Sequence, residues 1–306
     1  MKKICLTLLF GFFFFNLSAN AQPPVRTETA AEVNQRWARE RQAARNEADE
    51  LLKKITPAPV ISPQRKIASE RSRNLLYRYP TSEELKVISP DGEDQVKYAE
   101  FLHQPDTGLI KLAADVGCDD SKIVVVATPR CFKYLFPGAG SAYSFRTENY
   151  RLRRLADIVY TDNSFQATGV LLNGIFVKLG DVPLEKVNLQ TRGLQFLTNL
   201  KPTADKYQEL ERQLSKGIDF DGFQYRRNVR AAENTTYVLR SIAYRGSSPR
   251  NAEGIFFDEF EFDKRLDVIV AFRLVSKDAD GNVTILWKKL LQKDSPKLSG
   301  KHISKK

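Results

Sequence analysis

Hydrophobic and polar positions follow three different patterns along this chain. The first is an apolar run from Ile4 to Phe15, interrupted by Thr7 and Gly11, with Lys2 and Lys3 before it and Ser18-Ala19-Asn20-Ala21 after it. A basic start, a short apolar stretch and small residues at a cleavage position form the pattern of a secretory signal peptide. The run falls short of the ~20 apolar residues a membrane-spanning helix needs. Residues 1–21 are therefore read as a signal peptide cleaved after Ala21. Cys5 lies inside the run, which argues against a lipid-modified cysteine.

The second pattern is helical. Val33, Trp37, Ala44, Ala48, Leu51 and Ile55 recur at intervals of three, four and seven, and Glu32/Arg36, Asp49/Lys53 and Glu50/Lys54 are favourable pairs four residues apart. One charged helix is expected over residues 26–55. Its narrow apolar stripe suits packing on the main body or self-association through residues 33–55, although Glu40 falls on the stripe and weakens a coiled-coil seam. Thr56-Pro57-Ala58-Pro59-Val60-Ile61-Ser62-Pro63 cannot continue a helix and reads as an extended spacer. Residues 22–64 are thus a charged helix and proline-rich linker. Beyond it, Thr81-Ser82-Glu83-Glu84 looks like a helix start. Glu93 to His103 has a helical pattern with Val96, Ala99 and Leu102 on one side.

From about Thr107 the texture changes to short β-rich runs separated by turn residues. Expected strands are Gly108 to Ala113, Lys122 to Thr128, Ala142 to Glu148, Ala156 to Thr161, Ala167 to Leu172, Ile175 to Leu179 and Thr235 to Tyr244. Asp162-Asn163 and Asn173-Gly174 read as hairpin turns. A helix over Thr203 to Lys216 carries Tyr207, Leu210 and Leu214 on one face. The clearest unit is a hairpin of Asp267 to Ser276 and Val283 to Leu291 around Asp278-Ala279-Asp280-Gly281. In its second arm Val283, Ile285, Trp287 and Leu291 share a face, whereas Val268-Ile269-Val270-Ala271-Phe272 is apolar on both faces and belongs inside a sheet. Strands and helices do not alternate regularly, so a doubly wound parallel sheet is disfavoured. The expected fold is α+β: a predominantly antiparallel β-sheet domain with a few helices over residues 65–292, preceded by the charged helix and spacer and followed by a basic flexible tail, 293–306.

Composition adds to this picture through its sign. The 306 residues hold 48 Lys and Arg against 37 Asp and Glu, a net charge of +11 that becomes +9 once Lys2 and Lys3 are removed. The excess is uneven: residues 81–120 are strongly acidic, while 22–80, 121–160 and 201–250 are basic. Arg146, Arg151, Arg153 and Arg154, interleaved with Tyr143, Phe145 and Tyr150, and Arg226, Arg227 and Arg230 beside Tyr225, form a candidate surface for an anionic ligand. No motif that reads RNA or DNA is present. For an exported chain, an envelope protein or an anionic envelope or extracellular polymer is the expected partner.

Catalytic chemistry has little to work with. The chain has two histidines, His103 at a helix end and His302 in the tail, and no H-E-x-x-H, paired C-x-x-C, Walker loop or G-x-S-x-G. Pro137-Gly138-Ala139-Gly140-Ser141 precedes a strand rather than a helix and is read as a turn. So are Asp219-Phe220-Asp221-Gly222 and Asp278-Ala279-Asp280-Gly281, which lack the terminal Glu of a calcium loop. No cofactor or metal is expected. Cys118 and Cys131, the cysteines left after cleavage, flank the strand at 123–128 and form a disulfide only if both flanks fold back; two separate thiols are the alternative. Two functions from different classes remain. One is a non-enzymatic envelope or extracellular binding module with a basic surface. The other is an extracellular glycan hydrolase using carboxylates between Glu253 and Asp267, where Asp258, Glu259, Glu261 and Asp263 alternate with Phe257, Phe260 and Phe262.

Overall fold

The computed structural model describes residues 77–114, 137–252 and 255–298, with scattered positions before residue 77. The chain divides into two compact units, residues 1–60 and 61–306. The signal segment, the proline-rich spacer, all but four positions of the charged helix, the strand at 122–128, Cys118, Cys131, Glu253 and His302 lie outside the described residues.

Within the second unit three short helices come first: α1 (Ser82–Val87), α2 (Gly92–Lys97) and α3 (Ala99–Leu102). Then follow β1 (Thr107–Leu112), β2 (Ala142–Ser144), β3 (Asn149–Tyr150), β4 (Ile158–Thr161), β5 (Ser164–Ala167) and β6 (Leu172–Gly180). Helices α4 (Gln195–Asn199) and α5 (Tyr207–Lys216) separate these from β7 (Ile218–Phe220), β8 (Phe223–Arg226), β9 (Asn228–Arg230) and β10 (Thr235–Ala243). The chain ends in β11 (Pro249–Ala252), β12 (Ile255–Asp258), a 3-10 turn at Glu259–Phe262, β13 (Leu266–Lys277) and β14 (Val283–Asp294). The strands form a seven-stranded sheet in the order β1-β14-β13-β10-β6-β8-β7, a five-stranded sheet β3-β2-β4-β5-β9 and the β11–β12 hairpin, each antiparallel throughout. This is the β-rich α+β fold that the pattern of short alternating runs predicts.

Side-chain alternation builds the layers. On β13, Val268, Val270, Phe272 and Leu274 face the smaller sheet, while Ile269 and Ala271 face the opposite way, and all are buried. A strand apolar on both faces needs cover on both, and β13 sits in the middle of the large sheet with β14 and β10 as neighbours. The core between the sheets is aromatic: the Phe272 ring lies 5.1 Å from Phe165, 5.3 Å from Tyr237 and 6.2 Å from Phe176. The other face is covered by Leu184, Val187, Leu194, Leu197, Leu210 and Leu214 from the 184–200 segment and α5. Each such fully buried aliphatic or aromatic side chain contributes about 1.5–3 kcal/mol.

Local signals explain several boundaries. Thr81 caps α1 reciprocally: its hydroxyl accepts from the Glu84 N–H at 3.3 Å and the Glu84 carboxylate accepts from the Thr81 N–H at 2.8 Å. Asp162 and Asn163 both have positive φ and link β4 to β5 as a two-residue turn. Asp221-Gly222 does the same between β7 and β8, and Pro137–Gly140 is a tight turn in which Gly138 has φ 78°.

Other expectations need correction. Asn173-Gly174 is not a turn but lies inside β6, paired with Ile242 and Ser241. Gly174 is there because a Cβ would stand 2.2 Å from that of Ala167, so it marks close approach of the chain at that point. The 142–148 strand ends at Ser144, and the chain turns through Glu148 at φ 54°. The 167–172 strand is a loop through Gly169 and Leu171, both with positive φ. The 93–103 helix breaks at Tyr98 into α2 and α3; it buries Phe101 and leaves Val96 79% exposed. In β14 the register shifts between the Ile269↔Leu291 and Val270↔Lys289 pairs. That bulge sends Leu291 to the helix-covered face, away from Val283, Ile285 and Trp287. Finally, residues 293–298 are not a frayed tail: β14 runs to Asp294, Leu298 is buried, and its N–H donates to the Arg245 carbonyl at 2.7 Å.

Candidate functional site

The seven arginines proposed as an anionic-ligand patch separate into two groups. Arg146, Arg151, Arg153 and Arg154 lie on the segment from β2 to β4, facing the carboxylates of the 258–267 segment. The Arg146 side chain is fully buried, with Nε 2.7 Å from Asp157 Oδ1 and a terminal nitrogen 2.6 Å from Asp263 Oδ2. It also donates to the Leu155 carbonyl at 2.8 Å and to that of Lys264. Burial disfavours its charge, but Asp157 and Asp263 outweigh that and raise its pKa. Asp157 further accepts from Ser144 Oγ at 3.1 Å and from Ser241, and Asp263 from Arg265 at 2.8 Å. The Arg265 guanidinium lies 3.9 Å from the Phe260 ring centroid.

Arg151 is likewise buried. It donates to the Tyr77 carbonyl at 2.9 Å and to that of Phe262, beneath the Tyr79 ring at 4.6 Å. Arg154 grips Glu259 in a fork at 3.1 and 2.9 Å, and Glu259 also accepts from Tyr77 at 3.0 Å and from Ser248 at 3.2 Å. Arg153 is half-buried on the same segment and engaged. Arg146 and Arg151 are therefore buried rather than on a surface patch: Arg146 pairs with carboxylates inside the protein and Arg151 bonds main-chain carbonyls there. Pairing of the basic 146–154 block with the acidic 258–263 block is the feature that sequence reasoning missed. Its one signal was aromatic and aliphatic residues interleaved with the charges in both blocks.

The same contacts bear on the carboxylates offered for glycan hydrolysis. Glycoside hydrolysis needs one carboxylic acid with a raised pKa to protonate the leaving group. Burial pushes Glu259 up, but Arg154 and Tyr77 outweigh it and hold it below the usual carboxylate range. Asp258 is held low as well, because burial is outweighed by backbone N–H donors from Ser248 and Phe260. Asp267 is buried in a fork with Arg240 at 2.9 and 2.6 Å. Of this set Glu261 is exposed on the 3-10 turn. Glu259, Asp263 and Asp267 of this set are held in ion pairs with arginines. His103 follows α3 as its C-terminal cap residue.

The second group lies where the chain passes from the large sheet to the small one. Arg226 ends β8, Arg227 links the sheets and Arg230 ends β9. Arg227 pairs with Glu211 of α5. Arg226 reaches over Gly217, which has φ 93° and where a Cβ would come within 3.0 Å of its Nε. Arg226 and Arg230 are exposed and have no carboxylate partner among the described residues. Gln224 and Asn228, also exposed, precede each by two positions and share its strand face. The arrangement offers two exposed guanidinium groups with amides beside them, Gln224 donating to Asp219 of β7 at 3.3 Å, on a strand support. Such a surface holds sulfate, phosphate or carboxylate groups by charge-assisted hydrogen bonds.

Among the described residues no group of His, Cys, Asp and Glu is placed to hold a metal ion. Comparison with known proteins finds no match to a family model, to a curated protein or to a solved structure.

Proposed function

We propose that the protein is an exported, non-enzymatic binding module whose ligand is an anionic polymer of the cell envelope or the extracellular space. The surface that holds it is the exposed face of the β8–β9 segment with Arg226 and Arg230. The observation that carries this reading is the contrast between the two arginine groups. Arg146 and Arg154 are matched by Asp157, Asp263 and Glu259, whereas Arg226 and Arg230 are exposed and unmatched among the described residues. A buried, neutralised cation does not attract a polymer; a free one on the surface does. Each exposed contact is individually weak and screened by salt, so the module works on a repeating ligand through several contacts at once.

The test is retention of the full chain on immobilised dextran sulfate as salt rises. Arg226→Glu with Arg230→Glu is expected to elute at clearly lower salt than the parent. Equal elution of the two proteins would remove this face as the binding surface.

A further inference from the structure

We infer that the β8–β9 face also receives the acidic α1–α3 face of a second copy, so that chains associate head to tail. This rests on reading the basic face as the binding surface, and it names a partner for it.

The large sheet has β1 at one end and β8–β7 at the other. Helices α1–α3 are docked at the β1 end: Asp91 pairs with Lys111 of β1 at 3.2 Å, and Phe101 is buried in the helix-side core. Residues 81–106 carry seven carboxylates and two lysines. Glu83, Glu93 and Glu100 are exposed without an ion-pair partner among the described residues. Between them Val87 is 50% and Val96 79% exposed. At the far end Arg226, Arg230, Lys178 and Lys216 are exposed, and Phe220 is 45% exposed on β7.

β1 and β8 are five interstrand spacings apart, about 24 Å. That is about three times the ~8 Å screening length at physiological ionic strength, so the two faces of one chain do not neutralise each other. A second copy brings them together. Two-fold pairing through either face alone would set like charge against like, whereas contact of one face with the other sets acidic against basic and covers Val87, Val96 and Phe220 with one another. An interface of this kind is polar at its rim and apolar at its centre.

Sedimentation velocity of the full chain tests this. The parent is expected to show species larger than one chain at low salt, lost at about 1 M salt, where screening reaches ~3 Å. Glu93→Lys with Glu100→Lys, and separately Arg226→Glu with Arg230→Glu, should each sediment as single chains. Mixed one to one, they should form a two-chain species and nothing larger, because each contributes one intact face. A parent that is a single chain at every concentration, a mixture that stays single, or a two-chain species from either variant alone would overturn the inference. The milder pair Glu93→Gln with Glu100→Gln should weaken association in the same direction. The Glu93→Lys/Glu100→Lys chain keeps its basic surface, and its retention on dextran sulfate should be no weaker than the parent's. Retention lost only on arginine reversal, with no self-association anywhere, defeats the head-to-tail inference and leaves the binding surface standing.

Discussion

Arg240→Met measures what the interior charge pairs contribute. Arg240 lies on β10 facing the helix layer, fully buried, with its fork on Asp267 at 2.9 and 2.6 Å. It also donates to the carbonyls of Leu197 and Leu200, at the C-terminal end of α4, the second at 2.8 Å. Methionine keeps most of the length and apolar stem, so the change removes charge and donors more than volume. Asp267 is then left buried with Lys293, itself half exposed, at 3.6 Å. Breaking a buried pair by removing one partner costs about 3–5 kcal/mol. At about 2–4 °C per kcal/mol for a domain of roughly 150–250 residues, the melting temperature should fall by about 6–20 °C. The assay is thermal unfolding followed by calorimetry and circular dichroism. Adding Asp267→Asn should recover part of the loss, leaving about 1–3 kcal/mol for the two orphaned carbonyls. A melting temperature within about 2 °C of the parent would refute the view that this pair holds α4 to the sheet.

Gly108→Ala should destabilise by about 1–3 kcal/mol, because its Cβ would stand 2.6 Å from the Trp287 ring. Urea unfolding and near-ultraviolet dichroism report it, and an unchanged midpoint would mean that the ring shifts freely. Glu259→Gln should cost about 2 kcal/mol at neutral pH. It should also flatten the acid limb of stability: a carboxyl held below its ordinary value stabilises above that range and loses the contribution as pH falls below about 4. On the alkaline side Tyr77 is pushed up to about 12 by burial and by the nearby Glu259 charge. A raised group stabilises below its ordinary value, so parent stability should decline from about pH 10 toward 12, and less steeply in the variant. Identical pH profiles for the two proteins would exclude Glu259 as the titrating centre.

The strands were legible where the local pattern and the final environment agree. The two-faced apolar run at 268–272 could only lie inside a sheet, and Asp162-Asn163 tolerates the positive φ its turn requires. Asn173-Gly174 carries the same turn signal, yet its glycine answers to Ala167, a neighbour from another strand that local sequence does not display. The bulge that redirects Leu291 is equally silent in the alternation. The arginines were misplaced for a related reason. Whether Arg146 faces water or the interior depends on Asp263, which is 117 positions away. Charge and aromatic content mark both blocks, but their pairing is set by how β2–β4 and β12–β13 come together. Arg226 and Arg230 lie on short, two-faced strands whose exposed positions alternate.

We propose that the exposed arginines bind and the paired ones hold the structure. The measurement that separates the two roles is the salt dependence of dextran sulfate affinity for the parent, for Arg226→Ala with Arg230→Ala, and for Arg154→Gln, each with its melting temperature. Losing Arg226 and Arg230 should reduce the slope of log affinity against log salt by about two, one per lost contact, at unchanged melting temperature. Arg154→Gln should lower the melting temperature and leave the slope alone. A slope that falls with Arg154→Gln and ignores Arg226 and Arg230 would overturn this division of roles.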